Sequence, residues 1–200
     1  TGGNRPEGRF KMSNFNAEII TQFLNDERLN VSGFIFGEIW LKMVAGGIDM
    51  DADLSLKSGY YMEEPFEEMT LSFLFKDGIL HMDDISMTRK GTMGLQLHGI
   101  IPVGKRQKIK SPISLNSTFS NLPMQFIHRF IPDFFTLGGN ATGSFHLNGF
   151  PDNTNFIFDL EIEDSVFDLV EMGQFKGNGK YDGKKLIIDS AESIRNDATI

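Results

Sequence analysis

A chain of 200 residues with 40% hydrophobic and 23% charged side chains has an ordinary globular composition, long enough to bury a core and unlike disordered or collagen-like sequences. Nineteen basic against 27 acidic residues leave a net charge of −8 and a pI near 5.0, without the basic field that nucleic-acid binding uses. The absence of cysteine removes disulfide scaffolds, zinc–cysteine sites, iron–sulfur clusters and thiol catalysis.

No apolar run approaches the roughly 18 residues of a membrane helix; the longest candidate, Ile100-Ile101-Pro102-Val103, is broken by proline. The opening Thr1-Gly2-Gly3-Asn4-Arg5 reads as an excerpt of a longer protein, with any anchor or export signal outside it. Nineteen Phe stand against one Trp and three Tyr, an aromatic set that offers apolar surface with few hydrogen-bonding handles.

In chain order, residues 1–14 read as the end of a preceding repeat. Ala17 to Leu24 carries Ile19, Ile20, Phe23 and Leu24 as a one-sided stripe, which predicts a short helix with Asn14 or Asn16 as N-cap. From Val31 to Met43, Val31, Gly33, Ile35, Gly37, Ile39, Leu41 and Met43 share one phase of a strand, while Phe34, Phe36 and Trp40 make its other face partly apolar. Ile48 to Lys57 is the clearest strand: Ile48, Met50, Ala52, Leu54 and Leu56 take one face, Asp49, Asp51, Asp53, Ser55 and Lys57 the other. Alternation returns at Met69–Phe75, Ile109–Phe119, Ala141–Gly149 and Phe156–Ile162. Asp77-Gly78 and Asp182-Gly183 are turn signals of the tight-hairpin type. A second helical stripe, Phe126, Ile127, Phe130 and Ile131 within Met124–Ile131, follows Asn121 and Pro123.

The two stripes match at a shift of 107, and further pairs follow at 106: Gly33 with Gly139, Gly37 with Gly143, Leu41 with Leu147, Asp53 with Asp159, Leu54 with Leu160, Asp83 with Asp189 and Arg89 with Arg195. The order of elements agrees as well. The expectation is therefore a first helix-plus-strands repeat over 15–119 and a second over 120–200, truncated before the equivalent of Leu95 to Gly99. The expected fold is mainly β: an elongated, antiparallel-rich curled sheet, an open taco-like groove built from repeats, with two short α-helices. Two β-sandwich-like domains are the alternative.

Catalytic and metal chemistry finds no support in the sequence. Asp49-x-Asp51-x-Asp53 opens like a calcium loop, but Leu54 and Tyr60 stand where that loop needs Gly and Glu. Asp159, Glu161 and Glu163 repeat the acidic phase, which reads as a solvated face and not as a carboxylate pair for acid–base work. His81, His98, His128 and His146 lack metal-ligand spacing, and phosphate loops, dinucleotide fingerprints and nucleophile elbows are missing. Lys105, Arg106, Lys108 and Lys110 form one basic cluster, read as protection of a strand edge or as a contact for an anionic head group. Three Asn-x-Ser/Thr matches, at Asn30, Asn116 and Asn140, are expected by chance in this composition. No enzyme, cofactor, metal or nucleic-acid partner is expected.

In the second copy, Asn121-Leu122-Pro123 opens the apolar stripe. Asp133 to Leu137 then leads into Gly138-Gly139-Asn140-Ala141-Thr142-Gly143-Ser144-Phe145-His146-Leu147-Asn148-Gly149, followed by Pro151 and the strand to Glu163. This resembles the repeating region of the AsmA/TamB superfamily, in particular the TamB-like translocation and assembly module proteins. The first copy shows the phrase more faintly over Leu29 to Leu41 and departs from it at Ala45-Gly46-Gly47, where a Gly-x-Pro phrase would stand. The resemblance implies a β-groove segment of a periplasmic protein, anchored in the bacterial inner membrane by a segment outside this stretch. It implies a role in inter-membrane phospholipid transport and outer-membrane biogenesis, with an outer-membrane β-barrel protein as a partner through another region. Acyl chains would lie along Ile35, Ile39, Leu41, Met50, Leu54, Leu56, Phe73 and Phe75 of the first copy and Phe145, Leu147, Phe158, Leu160 and Ile162 of the second. The alternative from another class is a structural or adhesive extracellular β-repeat that binds proteins.

Overall fold

The structure is a computed structural model and describes residues 6–19, 31–45, 47–61, 64–89, 92–103, 111–124, 137–150, 153–168, 170–182 and 184–194. Strand makes up 88% of it, almost all antiparallel, in one 11-stranded sheet that curls but does not close into a barrel. The strands are β1 (Glu7–Asn16), β2 (Phe34–Val44), β3 (Gly47–Tyr61), β4 (Glu64–Lys76), β5 (Ile79–Arg89), β6 (Met93–Pro102), β7 (Ile113–Pro123), β8 (Leu137–Phe150), β9 (Asn153–Phe167), β10 (Val170–Tyr181) and β11 (Leu186–Ile194). Each pairs with its neighbours in chain order, so the sheet is an uninterrupted meander. The mainly-β curled sheet expected from alternation is what forms, and the two-sandwich alternative falls because hydrogen bonding runs unbroken from β1 to β11.

Strands that read apolar/polar at period two place all paired apolar residues on one face, because opposed residues in an antiparallel ladder point the same way. Ile35 opposes Leu56, Leu41 opposes Met50, Leu56 opposes Met69, Met69 opposes Met87, Met87 opposes Leu95 and Leu95 opposes Phe119, and the apolar face passes without a break across the sheet. Polar pairs such as Lys57 with Glu68 and Ser72 with Asp84 line the opposite face.

The pairing registers recur along the chain. Leu54↔Leu71 and Phe73↔Met82 reappear 106 residues on as Leu160↔Gly177 and Gly179↔Ile188, and Gly37↔Leu54 as Gly143↔Leu160. Irregularities recur with them. The slip that leaves Asp83 unpaired on β5 matches one that leaves Asp189 unpaired on β11, and the slip between Met12 and Phe15 matches that between Phe119 and Leu122. Left-handed residues coincide too: Asn14 (φ 61°) with Asn121 (φ 50°), and Ser58 (φ 52°) with Asp164 (φ 50°). A bulge adds one residue to one strand and sharpens the local bend, so bulges at equivalent places bend equivalent strands alike.

Gly37 shows why side-chain volume is excluded at one such place. Its φ is 131°, and a Cβ there would meet the Asp53 carbonyl oxygen at 2.0 Å. Gly143 stands in the same relation to Asp159.

The local expectations fare differently. Asn121 and Pro123 belong to β7, directly ahead of the helical Met124; there the Asn121 amide donates to the Thr92 carbonyl and its backbone N–H to Thr142 Oγ1 at 3.0 Å. Asp77-Gly78 is the two-residue turn expected, with both residues at positive φ, but β10 and β11 are joined by the four residues 182–185. There the Asp182 carboxylate accepts the N–H groups of Lys184 (3.1 Å) and Lys185 (3.0 Å). The Lys185 and Lys184 backbone bonds hold its carboxyl below the usual range. Asn16 does act as a cap, accepting the Glu18 N–H at 2.9 Å. Of the two segments, Ala17 lies in a turn and Glu18, Ile19 and Met124 are helical; the remainder of both, like the basic cluster Lys105 to Lys110, lies outside the described residues.

The backbone argument sets a paired prediction. Gly37→Ala should destabilise the fold by about 2 kcal/mol or more, from a strained φ and a clash with fixed backbone. Gly47→Ala, where nothing lies within 4 Å of the added Cβ, should stay within about 0.5 kcal/mol. Urea unfolding of the two variants beside the parent checks both.

Candidate functional site

The feature that sets this molecule apart from a packed domain is its apolar face. Among the described residues no second sheet lies over it, yet Ile35 is 1% exposed and Met87 2%. Such burial on a single sheet comes from curling toward the apolar side, where side chains from successive strands converge. Ala17 and Met124, at the starts of the connections after β1 and β7, join the same cluster.

The cluster draws on Ile35, Leu56, Phe66, Met69, Met87, Met93, Phe119, Leu122, Ala141 and Ile162, all toward the ends of the strands where the β1–β2 and β7–β8 connections lie. Toward the opposite strand ends the same face opens. Met50, Phe75, Leu80 and Ile101 are half-buried, and Met43 and Ile48 are about half exposed. Apolar area left in contact with water costs roughly 25 cal/mol per Å², so an opened apolar face is a standing drive to cover it.

Every lining residue expected from the sequence lies on this face. Ile35, Leu56 and Ile162 are buried in the cluster, whereas Ile39, Leu41, Met50, Leu54, Phe73, Phe75, Phe145, Leu147, Phe158 and Leu160 are half-buried and accessible from the curled side. A shallow hollow of about 350 Å³ is lined by Gly37, Leu54 and Leu71 together with Phe36, Asp53, Ser55, Thr70 and Ser72 of the outer face. Equivalent positions are filled from opposite strands: Ala52 faces Phe73 on β3–β4, while Phe158 faces Gly179 on β9–β10. The Phe158 ring comes within 2.9 Å of where a Gly179 Cβ would stand, so the small residue makes room for the large one.

Sequence reasoning missed much of this face. Leu80, Met82, Ile85 and Met87 of β5 fall out of simple alternation because Asp83 is a bulge, and Phe10, Met12 and Phe15 of β1 do so because of the slip at Asn14. Leu95, Leu97 and Ile101 of β6 alternate cleanly with Gln96, His98 and Ile100, and that signal was there to be used. β10 hid itself, since Gly177 and Gly179 occupy inward positions where alternation looks for bulk.

The polar face carries short-range ionic and hydroxyl contacts. Glu38 takes Arg9 and, at 3.9 Å, Lys11, and Lys176 meets Glu161 at 3.2 Å; Arg89, opposite Met93, instead meets Glu64, opposite Tyr61, at 3.6 Å at the end of the apolar face. Ser72 donates to Asp53 at 2.6 Å. Exposed pairs of this kind contribute about 0–1 kcal/mol each. Trp40 and Phe36, which make this face less polar than its neighbours, lie under the ammonium groups of Lys42 (5.8 Å) and Lys57 (6.0 Å). Asp49, Asp51 and Asp53 sit here opposite Lys42, Trp40 and Glu38, and Asp159, Glu161 and Glu163 face the same way on β9. A polar depression of about 230 Å³ is lined by Arg9, Glu38, Trp40, Asp51 and Asp53. Among the described residues no group of His, Cys, Asp and Glu side chains is placed to hold a metal ion, and no helix is long and apolar enough to cross a membrane.

No family model, curated protein or solved structure matches this chain. What the site can do is therefore read from its shape and chemistry: a broad apolar surface, curled and partly open, bounded by a charged outer face.

Graded burial predicts graded cost. Leu56→Ala, at 3% exposure, should lose about 2–5 kcal/mol, whereas Met43→Ala, at 51%, should lose less than about 1. Thermal or urea denaturation of the two variants measures the difference.

Proposed function

We propose that this chain is a non-enzymatic segment of a TamB/AsmA-like bridge protein that shields phospholipid acyl chains along its apolar trough. In this reading the whole protein is periplasmic and anchored in the inner membrane outside this stretch, and it serves lipid transport and outer-membrane biogenesis, with an outer-membrane β-barrel protein engaged elsewhere. The observation that carries the proposal is the apolar face of a single curled sheet, over which no second sheet lies among the described residues. Its half-buried Leu, Phe and Met side chains are positioned for a flexible hydrocarbon. Each acyl CH₂ moved from water onto such a surface gains roughly 0.8 kcal/mol without a directional bond, which favours retention along the trough and leaves movement along it easy. The segmental likeness to the superfamily phrase around Gly139 to Gly149 points the same way.

The decisive comparison is between neighbours on opposite faces. A photo-crosslinking residue at Leu54 should form adducts with phospholipid from phosphatidylethanolamine–phosphatidylglycerol vesicles, and one at Asp53 should not. Leu54→Asp should keep a cooperative melt near that of the parent, because the carboxylate stays hydrated at the trough wall, and should abolish lipid adducts from a crosslinker at Phe73. Asp53→Asn should alter stability by no more than about 0.5 kcal/mol. Unfolding of Leu54→Asp together with absence of lipid adducts in the parent would replace this proposal with a closed, protein-binding β-module, since an unpaired buried charge costs several kcal/mol.

A further inference from the structure

Among the described residues, cross-strand pairing places only two charged side chains on the apolar face. They are Glu64 on β4, opposite Tyr61, and Arg89 on β5, opposite Met93. The two meet at the end of that face, Arg89 Nη1 lying 3.6 Å from Glu64 Oε2, with side chains 32% and 25% exposed. At this separation the charges attract without a hydrogen bond, so the terminal amino groups of the guanidinium and the carboxylate oxygens keep bonding capacity for a guest.

The place in the fold does not demand an acid. Tyr61↔Glu64 recurs 106 residues on as Phe167↔Val170, which puts a valine, 55% exposed, where Glu64 stands. Arg195, the counterpart of Arg89, lies outside the described residues. The guanidinium of Arg89 is held by its inner nitrogen: Nε donates to Thr92 Oγ1 at 3.1 Å, the Thr92 N–H donates to the Arg89 carbonyl at 3.0 Å, and the Thr92 carbonyl accepts the Asn121 amide. A cation fixed in this way loses little freedom when an anion arrives.

The chemistry of the guest follows from charge complementarity. An Arg fork takes a phosphate diester through two parallel hydrogen bonds, and a carboxylate takes a primary ammonium. A head group that carries both charges side by side matches the pair, whereas a purely anionic one meets Glu64 as a repulsion. The neighbours suit the hydrocarbon of such a molecule: Met93 opposes Arg89, and Met87, two residues before Arg89, opposes Met69. Unbranched methionines repack readily, which opens a way from the pair toward half-buried Leu54, Leu71 and Leu95.

We infer that Arg89 and Glu64 form a head-group seat at the end of the trough, Arg89 taking the phosphate and Glu64 the ammonium of a phosphatidylethanolamine-type lipid. The inference rests on the reading of the trough as an acyl-chain surface. Past the seat no pairing position on that face is charged, so the seat is a point of entry and the hydrocarbon path beyond it is uniform.

The chain is mixed with vesicles of equal phosphatidylethanolamine and phosphatidylglycerol content, both lipids carrying the same diazirine on an acyl chain. After irradiation the adducts are sorted by head group in the mass spectrometer. The parent should carry about tenfold more phosphatidylethanolamine than phosphatidylglycerol, the difference of one charge-assisted hydrogen bond. Glu64→Gln should bring the two yields to within about twofold, and Glu64→Val, matching Val170, should do the same. Arg89→Gln should lower the phosphatidylethanolamine yield about tenfold, while Arg89→Lys, which keeps the charge without the fork, should recover part of it. Thermal melts followed by circular dichroism establish that each variant keeps its sheet. Equal labelling of the parent by both lipids, or a preference that survives Glu64→Gln and Arg89→Gln, would overturn the seat and leave the acyl trough standing. No lipid adduct of either kind in the parent would overturn both.

Discussion

A single β-sheet with one apolar face has to cover that face, and what is distinctive here follows from there being no second sheet among the described residues to do so. Sandwiches bury the inner faces of two sheets against each other, about 10 Å apart. Here eleven strands lie in one sheet among the described residues, and cover comes from curling. Curling is effective near the cluster of Ile35, Met69, Met87 and Phe119, where side chains of many strands converge with Ala17 and Met124. It is less effective at the opposite strand ends, where Met43 and Ile48 remain about half exposed. The molecule is thus stable because part of the face is a core and available because the rest is not.

The curl is written in the backbone more firmly than in the side chains. Gly37 and Gly143, the bulges at Asp83 and Asp189, and the left-handed residues Asn14, Asn121, Ser58 and Asp164 recur at fixed positions, and each bends or terminates pairing locally. Side chains between these points vary in size and in the strand that supplies them, as Ala52–Phe73 against Phe158–Gly179 shows. A one-residue slip would move a whole strand's apolar set to the charged face, so these fixed irregularities also hold register.

How much of this could be read from the amino acids depended on whether alternation was regular. β3, with Ile48, Met50, Ala52, Leu54 and Leu56 in phase, was legible outright, and its acidic face with it. The strands around bulges were not, because an extra residue shifts the phase: Met82 and Ile85 share a face although three positions apart. β10 was obscured by inward glycines whose space is taken by a neighbour's Phe ring, a fact of packing between strands that no single segment contains. Asn121 and Pro123 look like helix openers by composition, and the structure gives them a second duty that composition does not show: they end β7, Asn121 at a slip in register and Pro123 opposite Asn140. Which face the lining residues occupy was legible because it needed only phase. Whether that face was sealed or open was not, since both cases use the same alternation.

An open apolar face also explains which side chains the trough employs. Leu, Met and Phe dominate it, with Met69, Met82, Met87 and Met93 among the most buried. Methionine is unbranched and polarisable and fills irregular space, while Leu and Phe add area without a hydrogen-bonding group to orient a guest. A site meant to select one small molecule would place convergent polar groups within an enclosed pocket. Most charged contacts here are instead on the outer face, where Glu38, Asp53 and Glu161 bond to Arg9, Ser72 and Lys176, and the Arg89–Glu64 pair stands at the end of the apolar face. That division suits the proposed cargo: a hydrocarbon is recognised by shape-tolerant contact alone. A surface that bends with its backbone while exchanging large and small residues between copies can stay continuous without offering any one place to stop.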